Sequence, residues 1–118
     1  MARSTMYQIM AGVTDIRGKP KRIANNTVRY IRDSDGATVI RLHRTDIVIR
    51  AVNGDVTLNS DGWETPTTKS RMNDHLSGYA LYQKKHEWYL VKHTGEGYDW
   101  KNPIRYYDGM VLSASEWC

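Results

Sequence analysis

Arginine and tyrosine on short apolar stretches form the chemically richest pattern in this chain. Arg29, Tyr30 and Arg32 fall in Thr27–Arg32, and Arg41, Arg44 and Arg50 follow in the next apolar segments. Guanidinium forks match phosphate oxygens, and a ring between them gives a base a surface to stack on. Many single-strand and RNA-binding surfaces are sheets built in this way. The same arginines have a plainer use, because charges on strands discourage edge-to-edge pairing. They also suit a protein interface. Lys69 and Arg71 add two cations beside Thr67 and Thr68, at a predicted helix start where backbone N–H groups favour anions. Tyr98 and Trp100 sit in the loop Gly95–Pro103, and exposed rings of this kind dominate interface hot spots.

Other chemistries find little support. No G-x-x-x-x-G-K-[ST] loop is present, so ATP hydrolysis is not indicated. His43, His75, His86 and His93 lack metal-ligand spacing, and no metal or cofactor is expected. Cys118 ends the sequence and has no identifiable base, so a thiol nucleophile is not expected. There is no G-x-S-x-G nucleophile turn, and the carboxylates are scattered without pairing. The expectation is a non-enzyme that acts by binding.

Charge distribution sharpens this. The 118 residues carry a formal charge of +4. Residues 17–50 hold nine basic and three acidic side chains, whereas residues 51–118 hold seven and nine. Phe is absent, while Tyr numbers 8 and Trp 4, so most large apolar bodies carry a polar handle. No apolar run approaches the roughly 20 residues of a membrane helix. We therefore expect no membrane association, a single domain over 1–118 and a reducing cytosolic setting.

The elements that must position these side chains are mostly strands. Asn53-Gly54 favours a two-residue type I′ turn, which pairs Ile49 with Leu58 and Ala51 with Val56. A turn at Asp35-Gly36 pairs Ile31 with Ile40 and Tyr30 with Arg41. A turn at Lys85-His86 sets Lys84 against Glu87, Gln83 against Trp88, Tyr82 against Tyr89 and Leu81 against Leu90, favourable cross-strand pairs. Thr65-Pro66 reads as an N-cap and first helical residue, opening a short helix over about 66–77 with Gly78 at its end. Lys69, Arg71 and Asn73 point outward from it. Residues 17–22 read as a loop or mobile arm, Tyr7–Met10 as a strand, and the tail 103–112 as another that ends at Met110-Val111-Leu112. The sum is a β-rich α+β domain, a mostly antiparallel curled sheet or small open barrel of 6–8 short strands with one short helix.

One string has a family look. Thr45-Asp46-Ile47-Val48 is followed by Val56-Thr57-Leu58-Asn59-Ser60-Asp61-Gly62-Trp63-Glu64-Thr65, and then by Thr67-Thr68-Lys69-Ser70-Arg71-Met72-Asn73. It resembles uncharacterised small bacteriophage-encoded proteins that share a T-x-I-V strand, a T-L-N-[ST]-G-G-W-x-T turn and a T-T-K-x-R-[IM]-N helix start. Asp61 departs from their glycine. The resemblance implies a phage origin and the host bacterial cytoplasm, and carries over no catalytic residue. Structurally, Gly62 would take an unusual φ, Trp63 would plug the sheet–helix junction and Thr65 would cap. The expected function is that of a phage accessory protein with a basic Arg/Tyr sheet face contacting nucleic acid. A host-directed inhibitor or anti-defence protein, such as an anti-CRISPR-type blocker of a bacterial protein, is the alternative. A structural virion or assembly component is the third reading.

Overall fold

The computed structural model describes residues 5–76 and 78–113. Trp117 and Cys118 lie outside them, as does Ser77 in the expected helix. Antiparallel pairing dominates. A six-stranded sheet has the order β1-β2-β3-β4-β5-β9, with β1 at Arg17–Ala24, β2 at Thr27–Ile31, β3 at Thr38–Leu42, β4 at Thr45–Arg50, β5 at Val56–Leu58 and β9 at Met110–Leu112. A three-stranded sheet has the order β6-β7-β8, from Tyr79–Lys84, Glu87–Lys92 and Ile104–Arg105. Among the described residues the nine strands form two open sheets, in place of the expected single curled sheet or small open barrel of 6–8 strands. The β-rich α+β class itself holds.

Side chains alternate across each strand, so the register sorts them by face. The inner face of the large sheet carries Ile40, Leu42, Val48, Val56, Leu58, Met110 and Leu112. These meet Tyr79, Leu81, Trp88 and Leu90 of the small sheet in one buried cluster. Helix α2, Pro66–Asp74, adds Met72 to it. Thr65 caps α2 as expected, its hydroxyl accepting from the Thr68 N–H at 3.2 Å. Asn73 does not point away. Its side-chain amide clasps the Leu81 backbone with bonds of 2.8 and 2.9 Å. Those groups lie on an edge strand, and the amide satisfies them as another strand would.

Two local expectations are overturned. Residues 17–24 form an edge strand rather than a mobile arm. Its register with β2 slips between Arg17 and Lys21, which accommodates Gly18-Lys19-Pro20, and an outer strand tolerates the missing proline donor. Met6–Ile9 forms a helical turn, α1, instead of a strand. Thr5 and Gln8 close a capping box there, a local device that outweighs the β-branched Ile9.

The three hairpin registers fared differently. The β6–β7 pairing is as expected at every position, with Lys85 and His86 both at positive φ. In β2–β3 the connection is longer. Arg32 pairs with Ala37, so Tyr30 lies opposite Val39 and Ile31 opposite Thr38. This two-residue slip preserves the faces. In β4–β5 the slip is one residue: Val48 faces Leu58 and Arg50 faces Val56. Gly54 donates to the Ala51 carbonyl, and the Asn53 side chain accepts from the Asp55 N–H. Only Gly54 takes positive φ, the pattern of a three-residue loop with a bulge. A bulge between Ile40 and Arg41 inserts Ile47 opposite β3, and Ile47 is still buried.

Candidate functional site

A cleft opens at one end of the large sheet, where three loops meet. They are the β1–β2 turn at Asn25-Asn26, the β3–β4 turn at His43-Arg44, and the segment 59–65 leading into α2. The His43 N–H donates to the Asn26 carbonyl at 2.8 Å and joins the first two. The cleft measures about 840 Å³, within the range of small-ligand sites. Buried Leu42 and Ile47 line it from the core side. Thr65, Thr67 and Thr68 supply hydroxyls, Asn25 an amide, and Arg44 and Arg71 the cations. Trp63 stands on the rim, 66 % exposed. It does not plug the sheet–helix junction, because Met72 and its neighbours already fill that space.

The third loop is held from a distance by Asp108. Its carboxylate accepts from the Ser60 N–H at 2.9 Å, the Ser60 hydroxyl at 2.7 Å, the Gly62 N–H at 3.1 Å and the Tyr106 hydroxyl at 2.7 Å. Burial opposes ionisation of Asp108, but the bonds from Tyr106, Ser60 and Gly62 prevail and hold its pKa below the usual carboxylate value. Burial, reinforced by that carboxylate, drives the Tyr106 phenol upward. Gly62 takes φ +79, as the turn requires.

The arginines expected to share one face do not. Tyr30 is 4 % exposed and cannot serve as a stacking platform. Its hydroxyl donates to Asp46, and burial, ahead of the Asp46 charge, pushes its pKa up to about 12. Arg41 lies on the same outer face, bonded to Asp46 at 2.9 Å and to the Ile9 carbonyl at 2.7 Å. Arg32 pairs with Asp35. On the opposite face Arg50 donates to the His75 carbonyl at 2.7 Å, and Arg71 donates to the Thr27 hydroxyl. Arg29, Arg50 and Arg71 come together around His75, whose pKa is lowered chiefly by burial; the Asp74 charge opposes the shift and the three guanidinium charges add to it. Lys69 reaches Gln83 on the small sheet, leaving Arg44 and Arg71 as the cations of the cleft.

A second region lies on the outer face of the small sheet. Tyr89 and Tyr82 are stacked cross-strand neighbours, with centroids 5.7 Å apart. Tyr82 meets Trp100 edge-on at 5.2 Å, Trp100 meets Tyr98 at 6.1 Å, and Tyr98 meets His93 at 5.2 Å. The five rings form one continuous strip. Trp100 is 59 % exposed and Tyr98 40 %. Lys84 shares the face by register, Arg105 lies opposite Tyr89, and exposed Lys101 follows Trp100. Glu87 is the neighbouring acid, pairing with Arg105 at 2.8 Å and accepting from the Tyr89 hydroxyl, which raises the Tyr89 pKa.

A family model described as Kyanoviridae Gp96 protein matches residues 3–113. The chain belongs to this phage protein family. Neither the curated proteins nor the solved structures give a match. In this Kyanoviridae Gp96 chain, much of the phage-like string lines the cleft: Thr45, Ser60, Asp61, Trp63, Thr65, Thr67, Thr68 and Arg71. The string therefore builds a concavity as well as a cap. Asp108, Asn25 and Asn26 escaped the sequence reading. For Asp108 the local signals are an Asp-Gly pair and nearby Tyr106, whereas Ser60 and Gly62, the loop groups it holds, lie 48 and 46 positions away. Tyr82 and Tyr89 were legible as a cross-strand pair, but not as part of an outward strip with Trp100. No helix is long and apolar enough to cross a membrane among the described residues.

Proposed function

We propose that this phage protein is a non-enzymatic accessory protein that binds single-stranded nucleic acid on the outer face of β6–β7–β8. The continuous, outward ring strip Tyr89–Tyr82–Trp100–Tyr98 carries the reading. Stacking on Tyr and Trp is tolerant of sequence, because every base has a π-face. Lys84, Lys101 and Arg105 flank the strip with cations for the backbone. The arginines of β2–β4 contribute to the general positive field rather than to a contact surface.

The test is a fluorescence-anisotropy titration with labelled single-stranded DNA, single-stranded RNA and duplex DNA at several salt concentrations. The expected result is a preference for single strands and an affinity that falls as salt rises, through counterion release. Equal binding to duplex, or none at low salt, overturns the reading. A host-directed blocker is the second reading. It is favoured by Tyr107 and Val111, 63 % and 55 % exposed beside the edge strand β9. Under it, a tagged chain recovers one host protein at fixed stoichiometry, and Tyr107→Ala with Val111→Asp loses it.

A further inference from the structure

The strip leaves the cleft without a role, although the cleft is a concavity of small-ligand size. Three observations single it out. Its volume of about 840 Å³ and its buried Leu42 and Ile47 give it a small-ligand site's size and apolar wall. Trp63 presents a largely bare ring at the rim, outside every ring contact found elsewhere in the described chain. Arg44 is exposed and, unlike Arg32, Arg41 and Arg71, has no hydrogen bond or ion pair among the described residues. A ring and an uncommitted guanidinium on one concave wall match a ligand that is planar at one end and anionic at the other. The Asn25 amide, the Thr67 hydroxyl and the Asp61 carboxylate between them can bond sugar hydroxyls and base edges.

We propose that the cleft binds a mononucleotide, its base against Trp63 and its phosphate on Arg44. The site is separate from the nucleic-acid strip. The Asp108 network holds Ser60 and Gly62 in place, so the Trp63 loop is organised before any ligand arrives, which lowers the ordering cost of binding.

The full chain is titrated with AMP, GMP, CMP, UMP and adenosine by calorimetry, while the tryptophan indole N–H resonances are followed by NMR. Trp63→Phe assigns the Trp63 signal. The expected result is saturable binding of at least one monophosphate with a shift of the Trp63 indole. Arg44→Ala should weaken AMP by about 10-fold or more and leave adenosine unchanged, the size of a lost charged hydrogen bond. Trp63→Ala should weaken both, by about 5- to 150-fold for one lost stacking contact. Both side chains are exposed, so the variants should melt like the parent. Tyr82→Ala with Trp100→Ala should leave the AMP titration unchanged, which keeps this outcome distinct from that of the strip. No heat and no Trp63 shift at millimolar monophosphate overturns the proposal. So does an indole shift confined to Trp100.

Discussion

The two sheets treat their chemically active side chains in opposite ways. In the large sheet, most of the arginines that make residues 17–50 so basic are tied into the fold. Arg41 bridges Asp46 and the α1 backbone, Arg32 closes on Asp35, and Arg50 reaches the carbonyl at the end of α2. In the small sheet Tyr79 and Trp88 are buried, whereas Tyr82 and Tyr89 face outward and join Trp100 and Tyr98 of the following loop in one strip. A dense run of one charge in sequence is therefore a poor guide to a charged surface when acids three or more positions away lie within reach. An aromatic strip assembled from two strands and a loop leaves no run at all.

The largest effect expected of a single change falls on the Asp108 network that holds the cleft loop. Asp108→Ala removes the acceptor for two backbone N–H groups and two hydroxyls. A loss of about 3 kcal/mol is expected from groups left unsatisfied, measured by urea denaturation, with weaker AMP binding alongside. The pH dependence has a definite sign. The folded pKa of Asp108 is depressed, so its stabilisation is present above the unfolded value of about 3.9 and fades as pH falls through the folded value. Parent and Asp108→Asn melting curves should converge toward low pH. Curves that stay parallel down to acid would show that the carboxylate charge does not hold the loop.

Arg41 and Arg29 test the contrast within the large sheet. Among the described residues, Arg41→Ala leaves Asp46 with only the Tyr30 hydroxyl and should cost about 2 kcal/mol. Arg29 is exposed, and Arg29→Ala should stay within about 0.5 kcal/mol. Equal costs would mean that the arginines of this sheet do not divide into tied and free. Binding supplies the complementary reading. Tyr82→Ala with Trp100→Ala should weaken oligonucleotide binding by about 10-fold or more. Arg41→Ala and Arg32→Ala should change it little once their lower stability is allowed for.

Elements set by local chemistry were legible. Thr65-Pro66 announced α2, and the charge and aromatic pairs around Lys85-His86 fixed the β6–β7 register. What stayed hidden depended on distant partners. Nothing near Tyr30 announces that Asp46 and α1 will bury it, and nothing near Trp63 announces that Met72 will occupy the junction. The motif string was read as a cap because the cap is local. The cleft needs the turns at 25–26 and 43–44, brought beside it only by sheet order. Arg44, a candidate by its chemistry, sits in the β3–β4 turn at the cleft rather than on a strand face.

The hairpins offer a smaller gain, and it reaches the root of the comparison. Asn53-Gly54, the pair best suited to a type I′ turn, forms a three-residue loop instead, because the Asn53 side chain bonds the Asp55 N–H and Gly54 alone takes positive φ. Lys85-His86, an unfavourable pair, does form a two-residue turn with φ +51 and +67. Two L-residues in the left-handed region carry strain, so the cross-strand pairs of β6–β7 must hold that register against its turn. Replacing Lys85→Asn and His86→Gly should relieve the strain and raise stability by about 1 kcal/mol, with Tyr82 and Tyr89 still opposed. Oligonucleotide affinity should then be unchanged at high salt and slightly lower at low salt, where the lost Lys85 charge counts. If stability falls instead, the turn rather than the aromatic and charged pairs sets the register, and the strip owes its alignment to Lys85 and His86.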